Sequence, residues 1–185
     1  MYKKYRYTLR LIIVFFLFYS TSHSQKHTDK LPIDSLYNEL KATPNSTKKV
    51  DNLISLYKQS IKQRAIKKEI LDEALAISEK IYYIDGLAKC YNRKGITARY
   101  ESNYGASVMF HKRALTYFNQ TTDTLSKIKC LNSLGVTYRK LNLEKEAFDY
   151  YFQALKLSEI IKNDRSIAIA LNGIGNVFIN TEEYD

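Results

Sequence analysis

The feature that most constrains this chain is an internal period of forty residues. Glu73-Ala74-Leu75, Arg113-Ala114-Leu115 and Gln153-Ala154-Leu155 recur at that spacing, and so do Cys90-Tyr91-Asn92, Cys130-Leu131-Asn132 and Ala170-Leu171-Asn172. Gly95, Gly135 and Gly175 fall on the same period. A unit of this length buries little apolar surface by itself, so such units stack and share one continuous core. The period divides the chain into units 48–87, 88–127, 128–167 and 168–185, the last incomplete.

Each full unit reads as two helices. With only 6 Gly and 2 Pro in 185 residues, breakers are too few for a sandwich of short strands. In the third unit Leu131, Leu134, Gly135 and Tyr138 share one helical face, and Ala147, Tyr151, Ala154 and Leu155 form the stripe of a second helix. Asp123 and Asp164 are expected N-caps. Cys90 and Cys130 share one repeat position. Stacked first helices lie about 8–10 Å apart, beyond the ~6 Å that a disulfide spans between Cα atoms, so both read as small buried fillers. His111 reads as a packing residue on a second helix. The Tyr117-Phe118 and Tyr150-Tyr151-Phe152 aromatics read as core and inter-repeat contacts rather than base-stacking platforms.

These residues resemble the tetratricopeptide repeat (TPR), whose first helix carries a large apolar residue, then Leu-Gly, then Tyr, and whose second carries small, aromatic, small. The third unit fits with Leu131, Leu134-Gly135, Tyr138, Ala147, Tyr151 and Ala154, and the fourth with Leu171, Ile174-Gly175 and Phe178. The second fits at Tyr91, Gly95 and Ala114 but has Ser107 and His111 where Ala and an aromatic are usual. The first fits at Ile54, Leu71 and Ala74, with Ser55 in place of Gly. The resemblance implies an all-α, right-handed superhelical solenoid of antiparallel helix pairs. The family's own period is about 34, so forty implies longer second helices or longer connections.

The N-terminus reads as an export signal. Lys3, Lys4, Arg6 and Arg10 precede the apolar run Leu11–Tyr19, and Ser22 and Ser24 stand at −3 and −1 to a cut before Gln25. Nine apolar residues fall well short of the roughly 20 that span a bilayer, which favours a cleaved signal over residues 1–24 against an uncleaved anchor. The expected location is therefore periplasmic. Four of the 29 basic residues and none of the 19 acidic ones lie in that segment, so the remainder carries +6 and has no basic block of the kind that binds nucleic acid.

Residues 25–47 are a lead-in in which Ile33, Leu36, Tyr37 and Leu40 make a short amphipathic helix between Pro32 and Pro44. A signal, a short helix and then repeats of forty resemble the N-terminal sensory regions of bacterial, Bacteroidetes-type sensor kinases and signalling regulators. Asn180-Thr181-Glu182-Glu183-Tyr184-Asp185 reads as the turn after the fourth unit's first helix, which leaves Leu171, Ile174 and Phe178 partly uncovered and marks the chain as a fragment of a longer protein. Self-association through that unit is a corollary.

Asn52, Asn92, Asn132 and Asn172 occupy one repeat position; Lys49, Lys89 and Lys129 precede them by three, and Gln59, Arg99 and Arg139 follow by seven. These offsets place them on one face of the first helices, opposite the packing face. The resemblance implies that this face lines a concave, peptide-binding groove. An amide row can donate to and accept from an extended backbone, and the flanking cations favour carboxylates. The candidate ligand-binding residues are therefore Asn52, Asn92, Asn132, Asn172, Lys89, Lys129, Arg99 and Arg139. The competing role for the amides is a repeat-to-repeat hydrogen-bond ladder. No phosphate loop, HExxH or paired-carboxylate signature is present, so no catalytic residue, metal or cofactor is nominated. The expected partner is a peptide or protein segment, not nucleic acid. The favoured role is the extracytoplasmic input region of a signal-transduction protein; the alternatives are a self-standing periplasmic adaptor for envelope assembly and a cytoplasmic regulator anchored by an uncleaved Leu11–Tyr19, which the basic start disfavours.

Overall fold

A computed structural model describes residues 32–60 and 64–182. The described residues form eight helices and no strand: α1 Ile33–Ala42, α2 Thr47–Gln59, α3 Arg64–Lys80, α4 Ile84–Tyr100, α5 Tyr104–Phe118, α6 Thr124–Lys140, α7 Glu144–Ile160 and α8 Asp164–Glu182. The segment read as an export signal lies outside the described residues. No helix among them is long and apolar enough to cross a membrane.

The helices pair as α2/α3, α4/α5 and α6/α7, with α8 packed against α7, giving an all-α TPR-like solenoid. α4, α6 and α8 begin at residues 84, 124 and 164, so the period of forty is kept helix by helix. The unit boundaries written from the sequence fall about one turn inside these helices. In the third unit both helices have 17 residues and are joined by a three-residue turn. Helices therefore take up 34 of the forty residues of that unit, and its connections are short.

The turns explain how a chain so poor in glycine makes them. Tyr82, Ser102, Asn142 and Lys162 all have φ between 51° and 59°, the left-handed region. Each is the C′ residue of a Schellman close. The N–H of the residue after it bonds back across the last turn, as in Tyr83 to the Ser78 carbonyl (2.8 Å) and Leu143 to the Tyr138 carbonyl (3.0 Å). Side-chain caps start several of the helices. Ser46 caps α2, Asn103 caps α5 and Asp123 caps α6. At α8 the cap is Asn163, whose Oδ1 accepts from the Ser166 N–H at 2.9 Å; Asp164, expected in that role, is the first helical residue instead. The Asn180–Glu182 stretch, expected as a turn, continues α8, which runs 19 residues.

The core is made where helices of neighbouring units meet. Ile128, Leu131, Ala154 and Ala170 join α6, α7 and α8, and Leu134, Ala147, Tyr151 and Val177 form a second cluster across the same three. Cys90 and Cys130 are fully buried and unbridged. Tyr151 and Phe118 are core residues, and Tyr150 and Tyr117 stack on Tyr138 and Tyr91 at 5.3 and 5.8 Å. Phe152 instead stays 39% exposed and stacks on Phe148. α1 closes the first unit with Tyr37 in the core. Lys49, fully engaged there, pairs with Glu73 at 3.1 Å and donates to the Lys41 and Thr43 carbonyls.

Successive first helices (α2, α4, α6, α8) touch one another directly, whereas successive second helices make no comparable contact. The array therefore closes more tightly on the first-helix side, and that side is the concave one.

Candidate functional site

The concave side is lined by α2, α4, α6 and α8, and the four asparagines are not equivalent on it. Asn52 and Asn172 are exposed, while Asn92 and Asn132 are only 7% and 8% accessible. The Oδ1 atoms of Asn92 and Asn132 are fully buried and have no hydrogen-bond partner among the described residues. An unpaired buried acceptor costs about 1–3 kcal/mol, and here it recurs in the same register of adjacent units. A ladder joining one asparagine to the next is not present among the described residues. Asn172 is engaged locally, its Oδ1 and carbonyl accepting from Asn176 Nδ2 at 3.0 and 2.8 Å.

The cations divide likewise. Lys49, aligned with Lys89 and Lys129 in the repeat, is buried in structural contacts and is not on the groove surface. Lys89 sits among Asp51, Asp85 and Asp123, with Nζ 3.8, 3.6 and 3.9 Å from their oxygens, so its charge is largely satisfied. Lys129 is exposed and makes no ion pair among the described residues. Arg99 and Arg139 are half-buried, each with an unpartnered, buried Nε. Arg99 lies over the Tyr100 ring at 4.7 Å, and the Arg139 charge partly offsets the rise that burial gives the Tyr151 hydroxyl pKa.

Two further cations belong to this surface and escaped the sequence reading: Lys58 on α2 and Arg93 on α4. Burial lowers the pKa of Lys58, and Arg93, Lys129 and Lys89 lower it further, so these charges share one field. Burial also disfavours the charge of Arg93. Lys58, Arg93 and Lys129 do not share a repeat position; each step to the next helix moves back about one turn. They therefore form a diagonal across three first helices, which period-of-forty alignment does not reveal. At α8 the row changes character: Ile169 and Ile179 stand where Lys129 and Arg139 stand in α6, 49% and 58% exposed.

Beneath this surface, one ring per unit fixes helix spacing. Tyr151 lies between Gly135 and Gly173; a Cβ at either would fall 2.7 or 2.4 Å from the ring. His111 takes the same place one unit earlier, over Gly95. It is fully buried, with Nδ1 3.8 Å from Cys130 Sγ and Nε2 unpartnered. Burial first, and then the Arg99 charge, push its pKa down to about 3, so it packs as a neutral ring.

The arrangement offers cations along neighbouring first helices with side-chain amides on the same helices, groups that suit the acidic side chains and backbone carbonyls of an extended segment. Residues 128–161 match the family model of the tetratricopeptide repeat. The match runs from the second turn of α6 to the C-cap of α7, the pair that holds Asn132, Lys129 and Arg139. No curated protein matches the chain significantly. TPR units serve as protein–protein interaction scaffolds, and a protein partner is the functional class that this match supports.

Proposed function

We propose that the concave surface binds an extended, acidic protein segment, and that the chain is exported and acts as the input region of a signal-transduction protein. The observation that carries the groove reading is the shared field of Lys58, Arg93 and Lys129 across three neighbouring first helices. Beside it, Asn92 and Asn132 keep their Oδ1 atoms buried, which leaves their Nδ2 groups to donate to the backbone carbonyls of a bound segment. Lys58, Arg93 and Lys129 favour carboxylates, and Ile169 and Ile179 favour an apolar residue at the α8 end. The export reading rests on the basic start, the Leu11–Tyr19 run and Ser22 and Ser24; the signalling role rests on the resemblance of the whole layout to sensory TPR regions.

The test is fluorescence polarisation with labelled ten-residue extended peptides, either acidic with one apolar residue or with the charge reversed. Acidic peptides bind, and a Lys58→Glu, Arg93→Glu double variant loses most of that affinity while keeping its helicity. Equal binding of both peptide sets would refute the proposal. Intact mass of the exported protein, expected to begin at Gln25, tests the export reading separately.

A further inference from the structure

We propose that the outer face of α8 is a docking site for a partner helix with small, aromatic, small side chains at the spacing of Ala147, Tyr151 and Ala154. The preceding unit serves as the control. In α6, Ile128 and Leu131 are 0% and 2% accessible, and Gly135 is buried beneath the Tyr151 ring of α7. In α8 the same positions are open: Ala168 and Gly175 are exposed, and Leu171 is 51% accessible. A Cβ at Gly175 would meet nothing within 4 Å, whereas at Gly95 and Gly135 it would strike His111 and Tyr151 at 2.7 Å. The opposite side of α8 is already used, with Ala170, Gly173 and Val177 buried against α7.

The open face is thus continuous with the interface that α6 and α7 already make, one period further on. That continuity defines the chemistry of the occupant: an aromatic ring seated on Gly175, small residues about one turn before and one turn after it so the backbones approach, and an apolar flank over Leu171. A second copy of this chain is a poor source, because its Ala147, Tyr151 and Ala154 are buried within its own array.

The experiment titrates a fluorescein-labelled peptide with the sequence of residues 144–160 into the full chain and reads polarisation and helical circular dichroism. Saturable binding with a gain in helicity is expected, weak because an isolated helix of this length is marginal in water. Gly175→Ala is expected to raise the chain's own melting temperature and still weaken peptide binding about tenfold or more, since the new methyl occupies the ring seat. A peptide with Tyr151→Ala is expected to lose a similar factor. Unchanged affinity for Gly175→Ala, as displacement of the native α7 would give, overturns the proposal. So does unchanged affinity of the Tyr151→Ala peptide, no saturation at all, or a dimer through α8 that the peptide does not dissociate.

Discussion

The seating of Tyr151 between two glycines makes a prediction that one substitution, made twice on one helix, can test. Gly173 and Gly175 are two residues apart in the interior of α8. Replacing either with alanine brings the same gain in intrinsic helix propensity, about 0.8–1 kcal/mol. Their surroundings differ: a Cβ at Gly173 would lie 2.4 Å from the Tyr151 ring, which also packs so closely on Gly135 that a Cβ there would lie 2.7 Å away and so has little room to retreat, while Gly175 has open space. Overpacking at a site of this kind costs about 1–3 kcal/mol. The propensity gain cancels in the difference, so Gly173→Ala should be less stable than Gly175→Ala by about 2 kcal/mol. At about 2–4 °C per kcal/mol for a chain of this size, this is a gap of roughly 4–8 °C in Tm, with Gly175→Ala above the parent. Calorimetric or circular-dichroism melts read it directly. In a Tyr151→Leu background the gap should shrink, because the two sites share that ring. Equal shifts of the two alanine variants, or a gap that survives removal of the ring, would refute the reasoning.

Other outcomes follow from the same contacts. Tyr82 is 86% exposed at a φ of 54°, so Tyr82→Gly loses no packing and relieves a conformation that costs roughly 1–2 kcal/mol; chemical denaturation should show a net gain below about 1 kcal/mol after glycine's entropic cost. His111 has a folded pKa near 3 against about 6.5 unfolded, so the unfolded chain takes up a proton that the folded chain refuses. Its contribution is complete above pH 6.5 and is lost as pH falls toward 3, on the order of 1.4 kcal/mol per pH unit, and His111→Phe should flatten the stability curve between pH 6.5 and 5. Asn92→Ala with Asn132→Ala should weaken binding of an acidic peptide about tenfold or more at unchanged helicity, by calorimetric titration, while leaving stability equal to or above the parent, because two unpaired acceptors are removed.

The fold was legible because recurrence at forty residues marks one structural unit repeated, and each unit carries its packing pattern in full: Leu131, Gly135 and Tyr138 against Ala147, Tyr151 and Ala154. The turns were less legible. Left-handed turn residues usually announce themselves as glycine, whereas here Tyr82, Ser102 and Lys162 fill those positions, so helix ends could be placed only to within a turn. The groove was legible as a row and not as a surface. Alignment by repeat treats equal positions as equal environments, but Lys49 meets Glu73 and the end of α1, Lys89 meets three aspartates, and only Lys129 stays open. Lys58 and Arg93 belong to that surface through the inclination of one first helix against the next, which no single-position comparison carries. His111 was legible as a packing residue because its place in the unit is that of Tyr151.

The central claim is that a bound acidic segment lies across Asn92 and Asn132 and accepts hydrogen bonds from their side-chain amides. Side-chain amide resonances of ¹⁵N-labelled protein, recorded as an acidic extended peptide is added, test it most directly. The account predicts saturable shifts of the Asn92 and Asn132 side-chain amides, with the turn residues Asn142 and Asn163 unmoved. Binding that leaves Asn92 and Asn132 unchanged while shifting residues on the second helices would contradict it.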